Sequence, residues 1–184
     1  MKHAVPRQLL LVTCGLPFSG KSTLSRALAA ELGVAHVEVD ASRAQHGLRP
    51  GVDAIARADW IAAYQRGYAE VEVILRDGGS AVFDAVSYRR LQRNRVRRVA
   101  ERLDVPATVV LLDVSVDEAR ARLERNRFTR ERVNVPMESF LEVAEGMQWP
   151  DPDETVIRYS PDEPLTDWVG RIVRPLLAPA VSPV

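Results

Sequence analysis

The stretch Gly15-Leu16-Pro17-Phe18-Ser19-Gly20-Lys21-Ser22-Thr23 constrains this chain more than any other. An apolar run, Leu9 to Cys14, precedes it and reads as a buried strand. After it, Leu24, Ala27, Leu28 and Leu32 recur at helical spacing, and Gly33 supplies a stop. A glycine-rich turn between strand and helix lets backbone N–H groups converge on an anion, and the helix N-terminus adds positive potential. The expectation is a phosphate cradle made by Gly15, Pro17, Ser19, Gly20, Lys21, Ser22 and Thr23. In this pattern Lys21 reaches the β- and γ-phosphates of a nucleotide such as ATP, and the Ser22 hydroxyl sits on Mg²⁺.

The use of lysine strengthens that reading. Only Lys2 and Lys21 occur among the 25 basic residues; all the others are arginine. A compact point charge on a flexible stem suits a phosphate cradle, and lysine is kept where that is needed. The 25 acidic residues balance the basic ones, so no global positive field argues for nucleic acid. Cys14 is a lone cysteine inside the first strand and reads as a buried, inert thiol. His3, His36 and His46 make no metal-ligand spacing. Without a membrane-length apolar stretch or a secretory leader, a cytoplasmic protein is expected.

The 184 residues read as one domain with a frayed tail after 177. Strand one and helix one (21–32) are followed by a short strand at Ala35–Val39, ending at Asp40. A segment without period, Ala41–Gly51, then leads into a long helical pattern from Asp53 to Arg76, whose Trp60, Tyr64 and Tyr68 read as packing residues. Ser80–Phe83 is a third strand ending at Asp84, and Ala107–Leu112 a fourth ending at Asp113. Between them lies a basic helix, about 88–103, with Leu91, Val96, Val99 and Leu103 inward. A helix over 116–125 precedes a charged segment, 126–135; Pro136 opens another helix through Glu145. A last strand, 155–159, and a helix over 165–177 complete the pattern.

Alternating strands and helices imply a parallel sheet covered on both faces, with ligands bound beyond the strands' carboxyl ends. Asp40, Asp84 and Asp113 therefore gather on the edge that carries Lys21. Phosphoryl transfer needs a cradle, a metal, a group to orient the nucleophile, and positive charge over the transferring phosphate. Asp40 is the candidate general base, and Arg43, three residues on, the candidate anchor for an anionic substrate group. Asp84 is preferred to Asp113 as the acidic partner of Mg²⁺ and Ser22. The charged segment 126–135 reads as a lid, with Arg125 and Arg130 as its catalytic arginines. Arg90, Arg93 and Arg97 share a helical stripe that fits a nucleic-acid backbone, although an ordinary exposed face explains it equally well.

These pieces occur in the order seen in polynucleotide kinase-like P-loop kinases, a group similar to zeta toxins and chloramphenicol phosphotransferases. The resemblance runs through the loop Gly15–Ser22, Asp40-Ala41-Ser42-Arg43, Phe83-Asp84-Ala85, Leu111-Leu112-Asp113-Val114, and Arg125-Asn126 to Val135-Pro136. It implies a three-layer α/β P-loop NTPase fold with an arginine-rich lid. It also implies ATP and Mg²⁺ as cofactors, Asp40 as base, Arg43 as substrate anchor and Asp84 as the acidic residue of strand three. Val86 stands where relatives often carry threonine, and Thr129-Arg130-Glu131 where they often carry glycine. The resulting expectation is an ATP-dependent phosphotransferase acting on an alcohol group, either a 5′-hydroxyl polynucleotide end or a small molecule such as a metabolite or antibiotic. The other reading is a non-enzymatic nucleotide-binding switch.

Overall fold

Five parallel strands form one sheet in the order β2-β3-β1-β4-β5. They are β1 (Leu10–Cys14), β2 (Ala35–Glu38), β3 (Ala81–Asp84), β4 (Ala107–Leu112) and β5 (Val156–Tyr159). The helices are α1 (Lys21–Leu32), α2 (Arg57–Arg76), α3 (Arg90–Glu101), α4 (Val116–Thr129), α5 (Met137–Glu145) and the short α6 (Leu165–Trp168). This computed structural model describes residues 7–39, 57–133 and 135–178. Asp40, Arg43 and the start of the long helix expected from Asp53 lie outside the described residues.

The sheet is covered on both faces, as the apolar central strands β1 and β4 require. β1 is buried along its whole length, and its alternate residues enter different cores, because successive side chains of a strand point to opposite faces. Leu10 and Val12 pack with Val37, Tyr64, Val71, Phe83 and Val96, so α2 and α3 cover that face. Leu9 and Leu11 pack with Leu24, Leu28, Val82, Val110 and Trp168, so α1 and the C-terminal helices cover the other. Tyr64 and Tyr68 lie 6.4 and 5.6 Å from the Phe83 ring, the packing role expected of them. Truncating a fully buried ring such as Phe83 to alanine costs about 3–5 kcal/mol.

Three features differ from the sequence reading. α4 continues to Thr129 rather than stopping at Arg125, because the Asn126 side chain is buried and holds the next turn. The C-terminal helix is not uniform: after Trp168 it widens to a π-helical stretch, 169–173, and tightens to a 3₁₀ turn, 174–177, where Pro175 supplies no N–H. In α3, Leu91 is 57% exposed rather than inward, while Arg93 is fully buried. α3 is therefore rotated so that an arginine, and not its first leucine, enters the interior.

Candidate active site

The loop between β1 and α1 leads into a helix N-terminus that carries no side-chain cap. Gly20 precedes α1 with φ 103°, a conformation that favours glycine, and supplies no side-chain cap; the first turn holds no acidic residue. The first N–H groups of a helix have no acceptor within it, so those of Lys21, Ser22 and Thr23 converge on the mouth of the loop. Phe18, a non-glycine residue at φ 62°, marks backbone strain in the same turn. Lys21 is buried and donates from Nζ to the Leu16 carbonyl at 2.6 Å, so its ammonium is folded back across the loop. Ser19 is also buried, and its Oγ has no hydrogen-bond partner among the described residues. A ligand carrying acceptor oxygens fits this set of donors.

β3 brings a carboxylate to the same edge. β1 and β3 are adjacent and parallel, so Asp84 leaves the sheet beside the loop. It is only 4% exposed. Burial alone would raise its pKa, but hydrogen bonds from His36, Ser25 and Ser22, together with the charge of Lys21, hold it below the usual value. An ionised carboxylate and the Ser22 hydroxyl are a hard oxygen pair of the kind that Mg²⁺ takes. Asp113 is placed differently: its side chain is 64% exposed and lies 3.9 Å from Arg158.

Two arginines outside the expected pair touch the loop. Arg122 Nη1 donates to the Ser19 carbonyl at 3.0 Å, while its Nη2 pairs with Glu118. Arg132 Nη2 donates to Thr23 Oγ1 at 2.6 Å. Asn126 positions the second: its Nδ2 donates to the Arg132 carbonyl and its Oδ1 accepts from the Arg132 N–H, both at 2.9 Å. Together with Arg125, Tyr159 and Leu165, these residues line a cleft of about 550 Å³ beside the phosphate loop, within the size range of small-ligand sites. Arg130 is not among its lining residues; it closes α4 in the left-handed conformation, φ 52°. The signal that would have found Arg122 is its place one turn before Arg125 on the same helix face. Arg132 lies within the charged segment read as a lid, but nothing local singles it out, since its position depends on the fold-back that Asn126 makes.

The stripe Arg90, Arg93 and Arg97 is committed to the protein itself. Arg93 has no exposed side-chain surface and binds Glu154 through Nε and Nη2 at 2.9 and 2.8 Å. Its Nη1 donates to the carbonyls of Ser87 and Gln148. Arg90 pairs with Asp151 and Asp153, and Arg97 with Glu154. The nucleic-acid reading of this stripe fails at its middle residue. Cys14 lies against the same group: burial pushes its thiol up to about 11, and Arg93 only partly offsets this.

Similarity to known proteins follows this architecture. Residues 10–150 match the family described as an AAA domain. No curated protein matches the chain. Among solved structures, a sugar kinase from Janibacter sp. HTCC2649 is 18% identical, covering 97% of this chain and 100% of its own, at a TM-score of 0.67. Kti12 from Chaetomium thermophilum, in complex with ADP-AlF3, is 21% identical over 92% and 99%, at 0.72. The Mycobacterium tuberculosis APS kinase CysC, in complex with AMPPNP and APS, is 20% identical over 94% and 98%, at 0.62. These likenesses establish the P-loop NTPase α/β fold, and the match across most of the length establishes that the chain belongs to the AAA domain family.

Proposed function

We propose that the protein is an ATP-dependent kinase that transfers the γ-phosphoryl group to a hydroxyl of a small-molecule acceptor. The observation that carries this reading is the meeting of Lys21, Ser22 and the buried, ionised Asp84 at the mouth of an uncapped helix. The backbone N–H groups of the loop and Lys21 would bind the phosphates, with the buried Ser19 hydroxyl as an additional donor. Ser22 and Asp84 would hold Mg²⁺, which when bound neutralises charge on the β- and γ-phosphate oxygens. Arg122, Arg125 and Arg132 would hold the nucleotide in the cleft and bring positive charge over it, with the segment after α4 acting as a lid. Asp40, which follows the second strand in the sequence, would accept the proton of the acceptor hydroxyl, and Arg43 would anchor the acceptor.

The small-molecule acceptor is preferred to a polynucleotide end because the basic helix is spent on Glu154, Asp151 and Asp153. The solved relatives named as sugar kinase and APS kinase support the same direction. No described helix is long and apolar enough to cross a membrane, and the need for ATP favours the cytoplasm as the site of the activity. The test is transfer from γ-labelled ATP to a panel of hydroxyl compounds, including sugars, nucleosides and a 5′-hydroxyl oligonucleotide, with Lys21→Ala as control. Label should appear on a small-molecule hydroxyl in a manner that depends on Asp40. Labelling of the oligonucleotide alone would overturn the acceptor assignment. Nucleotide-dependent partner binding without any acceptor labelling would overturn the kinase reading in favour of a switch.

A further inference from the structure

Beside the phosphate loop, on the edge strand, three side chains converge that the kinase reading does not use together. His36 and Glu38 are two residues apart in β2 and so share one face of the sheet. Glu38 is the register partner of Asp84 across the β2–β3 ladder, which puts the Asp84 carboxylate on that face as well. One ligating atom from each of His36, Glu38 and Asp84 lies within 4.8 Å of the others. His36 Nε2 is 3.2 Å from Asp84 Oδ2 and 3.2 Å from Ser25 Oγ.

We infer that His36, Glu38 and Asp84 form a binding site for a borderline-soft divalent ion, of the class of Zn²⁺ or Co²⁺, and that filling it withdraws Asp84 from Ser22. Two atoms bound to one such ion at about 2.0–2.2 Å stand roughly 3.0–3.6 Å apart, and the His36–Asp84 separation already falls in that range. Glu38 is the ligand that must turn. Its carboxylate is held by Arg26 Nη2 at 3.2 Å, and that arginine is 59% exposed, so the pair it would give up is a weak surface one. His36 and Glu38 are half-buried at the sheet edge, which leaves an approach from solvent, while Asp84 closes the inner side. The imidazole sets the ion class. Mg²⁺ favours an all-oxygen shell and keeps several waters, whereas imidazole with carboxylates suits zinc and its neighbours. The site is therefore distinct from the Ser22–Asp84 pair, and shares one residue with it.

Because Asp84 is common to both, an ion held by His36 and Glu38 competes for the carboxylate that the kinase reading assigns to Mg²⁺. The competition rests on that reading; the binding does not. The experiment is titration of the full chain, free of nucleotide, with Co²⁺ followed by visible absorption, then displacement by Zn²⁺. The wild type should develop d–d bands that Zn²⁺ abolishes. His36→Gln and Glu38→Gln should each weaken binding about tenfold or more, the scale on which metal sites respond to loss of a supporting group. Arg26→Ala, which frees Glu38 without touching a ligand, should tighten it. Absence of bands in the wild type, or equal binding by wild type and both ligand variants, would overturn the site and mark the ion as adventitious. Zn²⁺ should inhibit wild-type ATP turnover at fixed Mg²⁺ and inhibit Glu38→Gln far less. Binding that passes the variant tests without such inhibition would overturn the competition, while leaving the kinase assignment to be judged by acceptor labelling.

Discussion

Arg93 and Glu154 face each other through two parallel hydrogen bonds, and neither side chain has exposed surface. The pair ties α3 to the segment 148–154 that leads into β5. The same guanidinium holds the carbonyls of Ser87 and Gln148, so the loop after Asp84 and the return from α5 are fixed to one point. Glu154 also accepts from the Asp151 N–H at 3.1 Å, which leaves its carboxylate well satisfied. An unpaired charge here would be buried without compensation. Arg93→Ala should accordingly lower stability by about 3–5 kcal/mol, read by urea unfolding. Arg93→Lys should recover only part of it, since one ammonium cannot reproduce the fork. Arg90→Ala, which breaks exposed pairs with Asp151 and Asp153, should cost no more than about 1 kcal/mol. A small loss for Arg93→Ala would show that the pair is dispensable.

The pair also makes an acid-side prediction. Burial alone would raise the pKa of Glu154, but hydrogen bonds from Arg93 and from the Asp151 backbone, with the Arg93 and Arg97 charges, hold it below the usual glutamate range. A group whose pKa is depressed in the folded state contributes stability that is present above its unfolded value and lost as pH falls through the folded one. Stability should therefore hold from neutrality down to about pH 5 and fall below about pH 4. Glu154→Gln should start lower and show a shallower acid slope. Parallel slopes for the two proteins would remove Glu154 from the acid transition.

Lys21 is tested through nucleotide binding. Its Nζ bridges to the Leu16 carbonyl across the turn, so Lys21→Ala should keep the fold and lose most affinity for Mg·ATP. Lys21→Arg should also fail, because a planar fork in a buried position cannot be folded back as the ammonium is. Calorimetry with a non-hydrolysable ATP analogue gives the readout. Normal binding by Lys21→Ala would sink the assignment of the loop.

Much of this was legible in the sequence for a physical reason. The alternation of apolar strands and helical repeats forces a covered parallel sheet, and that in turn puts Lys21 and Asp84 on one edge. Both inferences need only local period and topology. What the sequence hid lies in contacts made across the fold. Arg93 looked like one member of an exposed stripe because its partner, Glu154, is 61 residues away. His36 carries no metal spacing, since its neighbours Glu38 and Asp84 meet it only through strand register. Leu91 and Arg93 exchanged their expected places because a satisfied buried ion pair can outweigh a hydrophobic pattern in a single helix.

The arginines of the 550 Å³ cleft can be separated by substitution. Arg132 reaches Thr23 Oγ1 directly, and Asn126 fixes its backbone on both sides. Arg122 binds the Ser19 carbonyl, and Arg125 lines the same cleft. Arg130 instead occupies the left-handed position that ends α4, where its N–H bonds to the Asn126 carbonyl at 2.8 Å. A non-glycine residue there carries a conformational cost that glycine does not. Arg130→Gly should therefore raise stability by about 0.5–1 kcal/mol and leave turnover within about threefold, because no group in the cleft is lost. Arg132→Ala should lower turnover by roughly 10–10²-fold, the result of removing one charge-assisted donor worth about 1.5–3 kcal/mol. Asn126→Ala should reproduce most of that loss without removing any charge, since it releases the backbone that aims Arg132. Single-turnover kinetics on the three variants, with unfolding curves for each, decides the matter. A severe loss in Arg130→Gly with normal turnover in Arg132→Ala would return the catalytic role to Arg130 and require the segment after α4 to rearrange when nucleotide binds.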